Sequence, residues 1–289
     1  MEDRYPFVIR FPDFGGPVVF DFQLDRGRQG PRQFLGEFAG ILQTDGYTGY
    51  GKVGGKDMVH AGCWAHARRY FFQAVQLNRR DLLALGIVAE IDKLFELEAE
   101  AKAAGLGAAE RLGLRRKKAE PIVEGLKGGV ESARASTLPR SALGKACDDA
   151  LGRLGQLRRF PDYGQLELSN NLAENAIRPV AIGRKNWLHV GSERAGPRVA
   201  AIISIVETCR RLSIPVRNYL SSVLPGLASF PINRIAELTP TAWAARISRL
   251  VEFAGQQPPK VLTSEQRLRN VYDKRGAFEE FLELPSVLS

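Results

Sequence analysis

Cysteine, histidine and methionine are all scarce, with three, three and two residues in a chain of 289. Cys63, Cys147 and Cys209 are too few for a disulfide framework, and an odd count suits a reducing compartment. Long apolar runs are missing too. No stretch approaches the roughly 20 residues that a bilayer-crossing helix needs, so no membrane partner is expected. The opening residues, MEDRYPFVIRFPDF, are charged and broken by proline and do not read as a signal peptide. A cytoplasmic location is the expectation. Acidic residues are outnumbered, 32 against 41 Lys and Arg, for a net charge of +9. The cations run along the whole chain rather than forming a tail. This favours an acidic partner, nucleic acid first, with a merely basic soluble enzyme as the alternative.

What is present is ordinary for a globular protein: 44% hydrophobic and 25% charged residues, in a length that suits one large domain or two. Phe7–Arg10 and Val18–Phe22 are β-favouring runs separated by Pro12, Gly15, Gly16 and Pro17, which predicts two strands and a loop. Phe34, Leu35 and Phe38 predict a short helix after the break at Gly27–Pro31. Ile41–Thr44 predicts a buried strand that runs into Asp45, and the following GYTGYGKVGGK is too rich in glycine for long regular structure. Asp45 at a strand end can be a metal-binding carboxylate fixed by the strand and left open by the loop. It can equally serve the turn before Gly46.

Met58–Cys63 predicts another strand, and Trp64 opens a helix carrying His66, Arg68, Arg69 and Phe72. Cys63 and His66 are spaced for a metal, but His60 and His189 are isolated. A packed thiol beside a locally bonded histidine is the better reading than a closed zinc site. From about Asp81 to Phe160 the chain becomes helix-prone throughout. Leu82, Leu83, Leu85, Val88, Ile91, Leu94, Phe95 and Leu97 follow a helical period, and the basic run Arg115–Lys118 is expected on an exposed helix face. This block of about 80 residues lies between two mixed segments and has the character of an insertion.

Leu168–Trp187 reads LSNNLAENAIRPVAIGRKNW. Asn170, Asn171, Glu174 and Arg178 fall near one face of a helix, with Leu172, Ala173, Ala176 and Ile177 on the side suited to burial. Ser169 is the expected N-cap and Pro179 the expected stop. Arg184, Lys185 and Arg194 then cluster around Trp187. A carboxylate beside positive charge suits phosphate chemistry, and a plain amphipathic helix gives the same spacing. Val199–Leu212 and a segment from Pro215 and Val216 to about Leu224 are predicted helices, and Arg246–Ser289 is expected to be a loosely attached polar tail with some helix.

Three passages go further: LQTDGYTGY (Leu42–Tyr50), GCWAHARRYF (Gly62–Phe71) and LSNNLAENAIRPVAIGRKNWLHVGSERAG (Leu168–Gly196). In this order, with a helical block between the second and third, they resemble the transposases of the IS66 insertion-sequence family. Phe230–Thr239, FPINRIAELT, resembles the short C-terminal element of that family. The resemblance implies an α/β fold: a ribonuclease-H-like core of the DDE type, interrupted by an all-helical insertion, with a mostly helical C-terminal part. On that reading residues 1–78 and 163–225 form the core, 79–162 the insertion, 226–243 the C-terminal element and 244–289 a tail.

Asp45 matches the second catalytic Asp of the family and Glu174 the catalytic Glu. Cys63 and His66 match a supporting Cys-x-x-His element, and Asn170 and Asn171 suit support of the site or DNA contact. Arg178, Arg184, Lys185 and Arg194 are the expected DNA contacts. The implied cofactor is Mg²⁺ or Mn²⁺, as two ions about 3.5–4 Å apart in a complete site, for in-line attack on a phosphodiester. The implied partners are insertion-sequence ends and target DNA, with self-association or other products of the element. The first catalytic Asp of the family has no matching passage. Asp3, Asp13, Asp21 and Asp25 lie in other contexts. The expectation is therefore an N-terminally truncated transposase, as a decayed element or the downstream half of a split one. Its competence stays open between DNA transposition, a structure-selective nuclease and an inactive remnant that binds DNA or a partner chain.

Overall fold

The computed structural model describes residues 7–10, 16–25, 27–186, 190 and 192–253, with the backbone alone at 7–10, 184–186 and 250–253. Trp187, His189, Asp3, Asp13 and the tail from 254 lie outside the described residues, as do the side chains of Arg184 and Lys185. The chain forms two compact units, one of residues 1–9 and 21–196, the other of residues 10–20 and 197 onward.

Strands are short and few. β1 (Phe7–Arg10) and β2 (Val19–Phe22) make one two-stranded sheet, and β3 (Ile41–Gln43) and β4 (Val59–Ala61) make another. β3 and β4 are parallel, in the register Ile41↔Val59, Leu42↔His60, Gln43↔Ala61. α1 (Gln29–Leu35) precedes β3. The described chain is thus mostly helical with a small parallel sheet, α/β overall. No described helix is long and apolar enough to cross a membrane.

The helices of the first unit pack around one core. α2 (Trp64–Leu77) packs on α3 (Leu82–Ala103) and on α6 (Ala142–Gly152). α5 (Glu120–Ala135) follows α4 (Ala108–Leu114) and packs on both α3 and α6. Phe71, Ile91, Leu94, Val123 and Cys147 are fully buried between them. In α3 the buried stripe is Ala84, Ile87, Val88, Ile91, Leu94 and Leu97. Leu82, Leu83 and Leu85, expected on that stripe, are instead 80%, 45% and 38% exposed, because the 3.6-residue period started at Ala84 turns them outward.

The basic run Arg115–Lys118 divides. Arg116, Lys117 and Lys118 are exposed, but Arg115 is fully buried. These residues form a π-helical turn, Arg115–Ala119, and the changed register carries Arg115 inward. There its guanidinium donates to both carboxylate oxygens of Glu98, at 2.6 and 2.8 Å, and to the Tyr163 carbonyl, and stacks 4.1 Å over Phe160. Arg111 adds a third bond to Glu98 at 2.6 Å and lies 3.8 Å from Glu167.

α7 (Leu154–Leu157) leads through a 3-10 turn at Phe160–Asp162 and an irregular segment to α8 (Asn171–Asn186). α8 runs through Pro179, where the sequence predicts a stop. Proline removes its own N–H from the ladder and crowds the carbonyl one turn back, and the burial of Val180 directly after it, at 3% exposure, favours keeping the helix going. The start also moves. Asn170, not Ser169, sits before the first helical residue, its carbonyl accepting from Ala173 and Glu174 at 2.9 and 3.1 Å. Leu172, expected to be buried, is 44% exposed.

In the second unit α9 (Gly196–Arg211), α10 (Val216–Leu227) and α11 (Pro240–Phe253) follow in order. Cys209, Ile214, Tyr219 and Val223 form its core, with Trp243 edge-on to Tyr219 at 5.9 Å. α11 carries helix past Arg246, into the segment expected to be a tail with some helix. The residues preceding β2 are fixed by Thr208, which accepts from the Val18 amide at 2.9 Å and donates to its carbonyl at 3.1 Å.

Candidate active site

The site is built on the carboxyl end of β3. Thr44 continues the strand by donating its amide to Ala61 at 3.1 Å, and its buried hydroxyl meets His60 Nε2 at 2.9 Å. With Thr44 anchored, Asp45 is the first residue to emerge, and it is exposed. Its Oδ1 accepts the Tyr47 amide at 3.0 Å, so the same carboxylate shapes the turn and stays open to solvent. Gly46 takes φ +95°, which a side chain would strain. Burial, with the negative field of Asp45 adding to it, pushes the Tyr50 phenol upward.

β4 delivers Cys63 and His66 to the same place. Cys63 is fully buried at the position before α2, and His66 lies on the first turn with 8% exposure. The thiol meets His66 Nδ1 at 3.2 Å and receives the Asn170 amide at 3.5 Å. Burial raises the Cys63 thiol above its ordinary value. The packed thiol and locally bonded histidine read from the sequence are what the fold contains.

Glu174 arrives from far along the chain, and the bonds that bring it are specific. The Gln43 side-chain amide donates to Gly62 at 3.1 Å and to the Glu167 carbonyl at 2.7 Å. The Trp64 amide donates to Leu168 at 3.0 Å. These bonds lay the segment before α8 against β3 and the start of α2. One turn into α8, Glu174 places Oε1 3.3 Å from His66 Nε2 and Oε2 4.0 Å from Arg69. Burial lowers the His66 pKa, and Arg69 and Arg153 lower it further, while Glu174 and Asp45 oppose them. Glu174 by contact and Asp45 by its field therefore act on one imidazole from distant parts of the sequence.

The other expected residues divide by position. Asn170 is half-buried at the head of α8, with its amide oxygen buried and without a hydrogen bond among the described residues. Asn171, Arg178 and Arg194 are exposed. Asp21 bonds to Gln23 on β2. The sequence reading missed Gln43, an ordinary polar residue in a strand, and Arg153, one cation among many in a helical block. Only the glycine after Asp45 gave a local hint that something approaches there.

Asp45 and Glu174 supply hard oxygen donors that suit Mg²⁺ or Mn²⁺ in kind. In number they are a partial set, since among the described residues no group of three His, Cys, Asp or Glu side chains is arranged to hold a metal ion.

The sequence model of the transposase IS66 family matches residues 8–198. An uncharacterized protein of Sinorhizobium fredii, y4hP, is 34% identical over 270 residues, covering 86% of this chain and 49% of the relative. A second from the same organism, y4qI, is 33% identical over 232 residues, covering 77% of this chain and 42% of the relative. The chain thus spans about half the length of the curated relatives it matches. No solved structure matches it. The matched region contains both carboxylates, the Cys63–His66 pair and the helical block between them, and the chain belongs to the transposase IS66 family.

Proposed function

We propose that this chain works in DNA transposition as a DDE-type polynucleotidyl transferase, with Asp45 and Glu174 as its acidic pair. On this reading residues 1–78 and 163–225 make a ribonuclease-H-like core and 79–162 an insertion within it. The observation that carries the reading is Glu174, from a helix beyond the helical block, set 3.3 Å from the His66 ring, with Asp45 emerging from a strand end near enough for its charge to act on the same ring. Asp45 and Glu174 would hold a divalent ion, which supplies positive charge beside a phosphodiester. The protein's own groups do the orienting. His66 and Arg69 hold the Glu174 carboxylate, and the Thr44–His60 bond fixes the strand end that presents Asp45. Arg178, exposed one turn after Glu174, is placed to meet a backbone phosphate, with Arg194 as a further contact.

A second reading is a DNA-binding remnant without cleavage, favoured by the absence of a third acidic side chain at the pair among the described residues. The test is Mn²⁺-dependent nicking and strand transfer on labelled duplex DNA, comparing the chain with an Asp45→Ala, Glu174→Ala variant. Salt-dependent binding by both, with cleavage only by the unaltered chain, is expected. Cleavage that survives in the variant overturns the site. Binding without cleavage by either protein selects the second reading.

A further inference from the structure

We propose that Arg153 is the positioning residue for Asp45, holding the acidic loop to the helical block. The inference rests on the reading of Asp45 as a site acid.

β3 is three residues long, and the loop after Asp45 is rich in glycine, so the strand alone gives the loop little support. Arg153 supplies a second anchor from between α6 and α7. One terminal nitrogen of its guanidinium donates to the Asp45 backbone carbonyl, and the other donates to the Asp149 carboxylate one helical turn earlier. Its side chain is only 13% exposed, and its guanidinium lies 5.9 Å from the Tyr70 ring. Charge-assisted bonds of this kind are roughly twice as strong as neutral ones.

Gly46 completes the fit. A Cβ there would collide with the Arg153 guanidinium, so the glycine gives both the left-handed turn and the room for the arginine. The contact falls on the Asp45 main chain, which fixes the residue while its carboxylate stays free. A planar fork spans Asp149 and the carbonyl together, and a lysine ammonium does not reproduce that geometry. Small displacements matter at such a site, since a shift of about 1 Å costs on the order of a hundredfold in rate.

The test is native-state hydrogen exchange of the loop from Thr44 to Gly51 in the full chain, for Arg153→Ala, Arg153→Lys and Asp149→Asn, with the buried α3 amides as reference. The Tyr47 and Tyr50 amides, bonded to Asp45 Oδ1 and the Tyr47 carbonyl, are the reporters. They should exchange roughly tenfold faster in Arg153→Ala, less so in the other two variants, with α3 unchanged. Where DNA cleavage is measurable, its turnover should fall with DNA affinity held. Unchanged loop exchange in the folded variants overturns the inference, and Arg153→Lys and Asp149→Asn decide the matter if Arg153→Ala does not fold. A loosened loop in a chain that never cleaves DNA keeps the positioning role and removes the catalytic reading. Cleavage lost on removing Asp45 and Glu174 but untouched by Arg153→Ala, with a tight loop, does the reverse.

Discussion

His66 Nε2 lies 3.3 Å from Glu174 Oε1, and the other nitrogen of the same ring meets the Cys63 thiol at 3.2 Å. A neutral imidazole that donates from Nε2 to the carboxylate must accept at Nδ1, which assigns the S–H of Cys63 as donor. The thiol is thus a neutral support for the ring rather than a nucleophile.

The three cysteines should therefore be inert in the folded protein. All are buried, and burial raises each thiol, that of Cys147 to about 11. The thiolate is the reactive form, and these sites disfavour it. Alkylation at neutral pH should be negligible until denaturant is added, and then report all three thiols. Fast modification of Cys63 in the folded chain would show that the His66 ring polarises it.

Arg115 should be among the most sensitive positions in the helical block. Burial alone would raise the Glu98 pKa, but hydrogen bonds from Arg115 and Arg111 outweigh it and hold the carboxylate below its ordinary value. Arg115→Met leaves that carboxylate with Arg111 alone and takes the guanidinium from the Tyr163 carbonyl, a loss of up to about 3–5 kcal/mol for a broken buried pair. Adding Glu98→Gln should recover part of the loss, because the buried carboxylate charge goes with it. Urea unfolding of the single and double variants measures both. Strict additivity would refute the coupling.

Stability should fall as pH drops below the ordinary histidine range. Burial lowers the His60 pKa below 6.5, with its ring between Thr44 Oγ1 and Gln156 Nε2. The unfolded chain then takes up the proton first, so the contribution is complete above the unfolded value. It is lost as pH falls from there toward the folded value. His66 is shifted the same way. The urea midpoint should decline as pH falls through the ordinary histidine pKa of about 6.5, and His60→Gln should flatten part of that slope. An unchanged slope would show that this ring does not titrate there.

Thr208→Val keeps the shape and removes the hydroxyl that serves both the amide and the carbonyl of Val18. Thr208 is 2% exposed, so the orphaned groups find no water. A loss of about 1–3 kcal/mol is expected, and Thr208→Ser should keep most of the stability. Equal losses in the two variants would point to methyl packing instead.

The sequence by itself determined the type and order of most elements, because strand alternation and helical period are local properties of neighbouring residues. The strand before Asp45, the helix from Trp64, the helical block and the helix carrying Glu174 were all legible in this way. The quoted motifs also carried the family. Tertiary structure decided what local pattern does not encode. It carried α8 through Pro179, where the burial of Val180 offsets the local cost of the proline. It turned Arg115 inward to Glu98, away from the exposed run to which its neighbours belong. It also drew Gln43 to the Glu167 carbonyl and Arg153 to Asp45. Such pairings join distant segments through single polar contacts, and no periodicity along the chain records which cation or amide will make them.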